Sequence, residues 1–249
     1  MMFENAAKPM PERSEPASGL HVAVIMDGNG RWAANRGWPR LVGHRKGGER
    51  VRELVEACPR LGIRYLTLYA FSTENWKRSN EEVLGLMSLL TRYIKAEAKR
   101  LKREGVRLRF IGDRTRLAPD LQELMGWIEA ETDANDLLHL SVAINYGGRD
   151  EITRASRAMA RDVAAGRLDP DAMTADTISS YLDTHFLPDP DLVVRTSGET
   201  RVSNFLLWQA AYSEYVFTPV LWPDFTPQVM ADILTDFGQR ERRFGGVSA

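Results

Sequence analysis

Asp27-Gly-Asn-Gly-Arg31, Ser72-Thr-Glu-Asn-Trp76, Asn145-Tyr-Gly-Gly-Arg149 and Arg195-Thr-Ser-Gly-Glu-Thr-Arg201 each follow an apolar run and together hold the side chains most able to do chemistry. Gly28 and Gly30 flank Asn29. Glycine tolerates positive φ, so successive backbone N–H groups can turn toward one anion, and phosphate oxygens are the natural guest. Asp27, just before this turn, is placed to hold a hard divalent cation that bridges to the same phosphate. An Asp-Gly turn without a ligand is the competing reading. Neither a Walker P-loop nor a G-x-G-x-x-G fingerprint occurs, so nucleotide binding gains no support.

Arg31, Arg40, Arg78, Arg195 and Arg201 fall in or just after these polar segments. A planar fork of donors suits diphosphate better than a lysine point charge does. One such arginine is usually a solvated surface group; five near one rim point to an anion. His44, between Arg40 and Arg45, is positioned to touch the same anion, whereas His21, His139 and His185 have no such context. Glu214 reads either as a second metal carboxylate or as a solvated turn residue. Asn75 can position a proton-bearing group, and Trp76 beside it either covers a substrate face or belongs to the core.

These residues need a frame. Apolar runs at Val22–Met26, Ile63–Phe71, Leu138–Asn145 and Leu192–Arg195 predict strands, and Val106, Leu108 and Phe110 predict one near a sheet edge. Helical spacing over Val51–Cys58, Val83–Leu101, Leu121–Ile128, Ile152–Val163 and Met230–Phe237 supplies helices between them, with a shorter one near Thr177–Thr184 and a short strand at Tyr215–Phe217. Ser79 and Glu82 form a capping-box pattern before the longest helix. The alternation predicts one α/β domain over residues 20–249 with a mostly parallel sheet, preceded by a loose tail over 1–19. In such sheets ligands sit beyond the carboxyl ends of the strands, where all four polar segments fall. The stripe Leu86, Met87, Leu89 and Leu90 reads equally as core or as the lining of an apolar tunnel between sheet and helices.

The 249 residues carry 33 basic and 34 acidic side chains, 43% hydrophobic residues and the lone Cys58. Near-zero net charge argues against a general nucleic-acid binder. A single cysteine excludes an internal disulfide or a cysteine-based metal cage and suits a reducing, cytoplasmic compartment. No apolar run is long enough to span a bilayer, and the N-terminus lacks the apolar centre of a signal peptide.

Val24-Ile-Met-Asp-Gly-Asn-Gly-Arg-Trp32, Gly43-His-Arg-Lys-Gly47, Tyr69-Ala-Phe-Ser-Thr-Glu-Asn-Trp76, Asn145-Tyr-Gly-Gly-Arg149, Arg195-Thr-Ser-Gly-Glu199 and Ser203-Asn-Phe-Leu-Leu-Trp208, in this order from His21 to Gly246, closely resemble the cis-prenyltransferases, in particular bacterial undecaprenyl diphosphate synthases. The resemblance implies a homodimeric, Mg²⁺-dependent transferase that condenses isopentenyl diphosphate onto an allylic primer such as farnesyl diphosphate. Its product would be the lipid-carrier precursor of cell-wall synthesis, released through transient contact with a membrane surface. By the same resemblance Asp27 is catalytic and a metal ligand, Glu214 the other metal carboxylate, and Asn75 the proposed proton acceptor. Gly28, Asn29, Gly30, Arg31, Trp32, Arg40, His44 and Arg78 would hold the allylic diphosphate. Arg195, Arg201, Val202 and Ser203, with the Arg-Arg-Phe-Gly-Gly246 segment of a partner subunit, would hold isopentenyl diphosphate. Ser72, Thr73, Glu74 and Trp76 would border the substrate. Ala70 and Leu138 match long-product members, as the small residue at a tunnel entrance and the large one at its floor. The trans-prenyl synthases are disfavoured because no D-D-x-x-D motif occurs. A silent scaffold subunit is disfavoured by retention of Asp27, Asn75, Arg195, Arg201 and Glu214.

Overall fold

The computed structural model describes residues 19–240; the tail over 1–18 and the 242–246 segment fall outside the described residues. Strands β1 (Leu20–Ile25), β2 (Ile63–Ser72), β3 (Val106–Ile111), β4 (Leu138–Tyr146), β5 (Leu192–Arg195) and β6 (Glu214–Phe217) form one sheet in the order β3-β4-β2-β1-β5-β6. Every pairing is parallel. Helices α1 (Asn29–Ala34), α2 (Arg40–Ala57), α3 (Asn80–Arg103), α4 (Pro119–Glu131), α5 (Gly148–Ala164), α6 (Ala175–Tyr181) and α7 (Pro227–Gly238) flank it.

β1 is central and covered on both faces, which explains its unbroken apolar text: Val22, Ala23 and Val24 are fully buried. Val22 and Val24 join the larger core beneath α2, α3, α4 and α7, while Ala23 and Ile25 face the smaller core around Tyr146 and Phe205. β3 lies at the edge, as its alternation predicts. From β1 the chain builds β2, β3 and β4 to one side and β5 and β6 to the other, so the strand order reverses at β1 and opens a crevice at its carboxyl end.

Two local details depart from expectation. Asp27-Gly-Asn-Gly is not a free turn: Gly28, at φ 101°, caps α1, which starts at Asn29. At Ser79 only half of the capping box forms, its Oγ accepting from the Glu82 N–H at 3.3 Å. The Glu82 carboxylate is engaged elsewhere.

His21 is a structural tie. Its Nδ1 lies 2.7 Å from the Pro188 carbonyl and its Nε2 2.8 Å from Thr67 Oγ1, and burial lowers its pKa from 6.5 to about 4. Between those values the unfolded chain binds a proton that the folded chain does not. Stability from the neutral ring is therefore complete above 6.5 and is lost as pH falls toward 4, by about 3 kcal/mol for this one residue. Urea midpoints followed down that window should drop, and His21→Gln should flatten the slope; equal slopes in both proteins would contradict the assignment. His44 is shifted the same way, so a residual slope remains in the variant.

Candidate active site

Asp27 leaves the carboxyl end of β1 with its backbone clamped by Thr196. Its N–H donates to Thr196 Oγ1 at 2.9 Å, and that hydroxyl donates to the Asp27 carbonyl at 2.7 Å. The carboxylate is thereby aimed without depending on its own contacts. Its Oδ1 accepts the Gly28 N–H at 2.7 Å and its Oδ2 accepts Arg195 Nη2 at 2.8 Å. Burial raises the Asp27 pKa, but the hydrogen bonds from Arg195 and Gly28 and the charges of Arg195 and Arg31 outweigh it, holding the group below the usual carboxylate value. Asp27 is therefore ionised.

Arg195, at the end of β5, is nearly fully buried and donates to Ser203 Oγ at 2.7 Å and to the Arg201 carbonyl. Its Nε is buried without a hydrogen-bond partner. Arg31 reaches across from α1 to the Ser197 carbonyl and hydroxyl and lies 3.2 Å from Glu199, which also pairs with exposed Arg201. Ser197, Ser203, Asn204 and Leu206 all have positive φ. Non-glycine residues rarely adopt that region, so the 197–206 segment stores strain at the mouth of the site. Glu74 accepts from Asn204 Nδ2 at 3.0 Å and ties this segment to the turn after β2, whose Thr73 packs beside Gly147.

A second cluster forms where α2 and α3 begin. Glu82 Oε1 lies 2.9 Å from Arg78 Nη1 and 3.7 Å from His44 Nε2, while Oε2 lies 3.3 Å from Arg40 Nε. Three residues expected to grip an anion thus gather around one carboxylate. Burial, reinforced by the charges of Arg78 and Arg40 against that of Glu82, lowers the His44 pKa to about 4, so its ring is neutral. Asn75 sits after β2 on a single helical turn over Thr73–Lys77; its Oδ1 accepts the Ser72 N–H at 3.1 Å. The remaining amide group of Asn75 is a donor.

Asp27, Asn29, His44, Ser72, Asn75, Arg78, Arg195 and Ser203 line the mouth of one cavity of about 360 Å³ between the sheet and helices α2 and α3. Asn29 Oδ1 is buried there without a partner. Below the mouth the walls are apolar, with Leu86, Met87, Leu89 and Leu90 from α3 facing Leu140, Val142 and Phe110. The stripe left open by periodicity lines a cavity. β2 carries a register irregularity between Tyr69 and Phe71, which leaves Ala70 unpaired with its small side chain in the cavity wall.

Other expected residues lie elsewhere. Trp76 packs edge-on against Phe71, beneath Arg116, with its Nε1 donating to Asn145 Oδ1 at 2.7 Å; it does not line the cavity. Trp32 is buried and anchors α1 by donating to Asp224 Oδ1 at 2.8 Å. Gly28, Gly30, Arg31, Arg40, Thr73, Glu74, Arg201 and Val202 surround the mouth rather than line it. Glu214 starts β6 opposite Leu192, whereas Asp27 lies two residues past Ile25, which pairs with Arg195. That offset puts the two carboxylates at opposite ends of the sheet, roughly 17 Å apart along the strands alone. Glu214 pairs with Arg240 at 2.7 Å. Within one chain it cannot share an ion with Asp27.

Sequence reasoning missed Glu82, Thr196, Ser197 and Glu199. Thr196, Ser197 and Glu199 lie inside the Arg195–Arg201 segment that the sequence marks, whereas a cap is a sufficient local reading of Glu82. Cys58 is buried, and burial pushes its thiol up to about 12, so it is inert packing.

Residues 25–245 match a family model described as "Putative undecaprenyl diphosphate synthase". An isoprenyl transferase of Agrobacterium fabrum is 54% identical over 239 residues, covering 96% of this chain and 97% of that protein. One of Clostridium perfringens is 48% identical over 91% of this chain and 90% of its own. Among solved structures, lavandulyl diphosphate synthase from Lavandula x intermedia in complex with dimethylallyl diphosphate superposes with a TM-score of 0.88 at 37% identity, covering 91% of this chain and 98% of that one. A probable undecaprenyl diphosphate synthase from Campylobacter jejuni gives 0.76 at 36% identity, with 92% and 99% covered.

Proposed function

Because the chain belongs to the undecaprenyl diphosphate synthase family of cis-prenyltransferases, we propose that it condenses isopentenyl diphosphate repeatedly onto farnesyl diphosphate to give undecaprenyl diphosphate, the lipid-carrier precursor of cell-wall synthesis. The observation that carries this reading is a cavity whose cation-rich mouth leads directly into an apolar interior, matching a substrate with a diphosphate head and a hydrocarbon tail. Arg40, Arg78 and His44 with the N–H groups around Gly28–Gly30 hold the allylic diphosphate. Arg195, Arg201 and Ser203 hold isopentenyl diphosphate. The enzyme works in the cytoplasm as a homodimer and touches the membrane surface transiently at release; no helix among the described residues is long and apolar enough to cross a bilayer.

Asp27 suits Mg²⁺: it is an ionised hard oxygen donor at the cavity mouth, fixed through its backbone. Asp27 would hold the ion, with a shell that substrate oxygens and water would complete. Bound there, the metal supplies charge stabilisation to the departing diphosphate. Glu214 joins such a shell only from a second copy of the chain.

Cleavage of the allylic C–O bond places charge on the diphosphate, and preorganised arginine and N–H donors stabilise that charge as it develops. The isopentenyl double bond attacks the allylic carbon, and the new cation then loses a proton. Asn75 is a weak base whose Oδ1 already accepts an N–H, so it positions the substrate through its remaining donors while the released diphosphate takes the proton.

Incubating the purified chain with farnesyl diphosphate, labelled isopentenyl diphosphate and Mg²⁺ tests the proposal. A ladder ending at undecaprenyl diphosphate is expected, a ladder stopping early would make it a shorter-product enzyme, and no incorporation would sink the assignment. Glu82 adds a second check. Replacing it with Gln keeps an acceptor for Arg78 but removes a charge that competes with diphosphate. Pyrophosphate should then bind more tightly by calorimetry, by about 1 kcal/mol or roughly fivefold; weaker binding would show that the carboxylate serves to orient the guanidinium groups instead.

A further inference from the structure

The cavity does not end in hydrocarbon alone. α2 and α3 each follow a strand and return beside the sheet, so both descend from the mouth toward the amino ends of the strands. Glu82 marks the mouth, and Glu97 lies roughly 22 Å further along α3. At that depth the wall changes character. Arg52 from α2 and Glu97 and Arg100 from α3 line the cavity beside Val55 and Leu101. Arg52 pairs with Glu97, and Arg100 Nε lies 2.5 Å from Glu97 Oε2. Arg100 Nη1 also lies 3.0 Å from Glu56 Oε1 on α2 and 2.6 Å from Glu104 Oε2.

The seam between the two helices is thus closed here by ion pairs, in a wall that nearer the mouth carries Val51, Leu86, Met87, Leu90, Tyr93 and Ile94. Arg52 is 52% exposed, so its charge rehydrates when the pair with Glu97 parts, while Glu97, at 14%, keeps Arg100 as its counter-charge. The opposite wall is different: β1, β2 and β4 are interior strands, hydrogen-bonded on both sides. A dry cavity of about 150 Å³ holds one benzene ring, so about 360 Å³ holds roughly fifteen carbons, the size of the primer's tail. Any longer chain must displace part of the wall, and the ionic seam is the part that yields most readily.

We propose that the Arg52–Glu97–Arg100 cluster is a latch on the α2–α3 seam that parts to let the growing hydrocarbon leave the cavity, so that it governs the length and release of the product. This rests on the elongation reading above. The latch residues touch no diphosphate group; they act on the far end of the chain.

The test tethers the seam. Arg52→Cys with Glu97→Cys is bridged by a short bis-maleimide; buried Cys58 stays unreacted. The same variant capped at both positions with a monofunctional maleimide controls for bulk. The tethered enzyme should make the first condensation product at the rate of the untethered one yet lose the long products, while the capped enzyme keeps the full ladder. An unchanged ladder after tethering would overturn the latch alone. So would equal truncation by the monofunctional caps, or loss of the first condensation on tethering. Absence of condensation in every form, the native protein included, would overturn the elongation reading and the latch with it.

Discussion

Asp27→Ala lowers turnover by about 10²-fold or more at saturating Mg²⁺ and substrates, the scale for losing a preorganised group that stabilises developing charge. The structure separates this from misfolding. The Asp27 backbone is clamped by Thr196 and its carbonyl also accepts the Trp222 N–H at 3.0 Å, none of which involves the carboxylate. The side chain is 34% exposed, so truncation leaves no sealed void. Arg195 loses one acceptor but keeps Ser203 Oγ and the Arg201 carbonyl. Losing the counter-charge of buried Arg195 should lower the melting temperature, but the clamped backbone keeps the fold, so circular dichroism of the variant separates that loss from the collapse in rate. Asp27→Asn keeps the shape and an acceptor for Gly28 but removes the charge, and should be nearly as impaired. Near-normal turnover in either variant would remove Asp27 from the mechanism.

Leu138→Ala should change both stability and product. Leu138 is fully buried, two residues before Leu140 on β4 and therefore on the same face of the sheet as the cavity-lining Leu140 and Val142. It closes the floor one step below the cavity. Truncating it should cost about 2–5 kcal/mol, as other buried leucine deletions do, and the same lost volume should deepen the cavity and lengthen the ladder. Denaturant midpoints report the first effect and thin-layer chromatography of labelled products the second. An unchanged ladder in a folded variant would mean that Leu138 is ordinary core. Lengthening here and truncation by the α2–α3 tether are independent outcomes, since the first acts on the floor and the second on the side wall.

Much of this protein is legible in one dimension. The strands at Val22, Ile63, Val106, Leu138 and Leu192 and the helices between them follow from apolar periodicity, because burial on one face or two imposes a local repeat. That four polar segments share one rim follows from the parallel sheet, in which every strand ends on the same side. Asp27, Asn29, His44, Asn75 and Arg195 do meet there.

Side-chain direction was decided only by the tertiary structure. Trp32 and Trp76 sit inside site motifs yet turn into the packing, because each indole N–H finds a partner on a distant segment, Asp224 and Asn145. Glu82 satisfies a cap pattern locally, but its carboxylate also faces Arg40 and His44, which reach it only once α2 lies beside α3. Glu214 stands beside the aromatic text of the last strand, and it is the register of β6 on β5 that carries it to the far end of the sheet. The ionic seam joins two helices through Arg52 and Glu97, residues 45 positions apart. Local patterns record which face of an element is buried; which polar atoms then meet depends on register and long-range packing, and no window of sequence contains both partners.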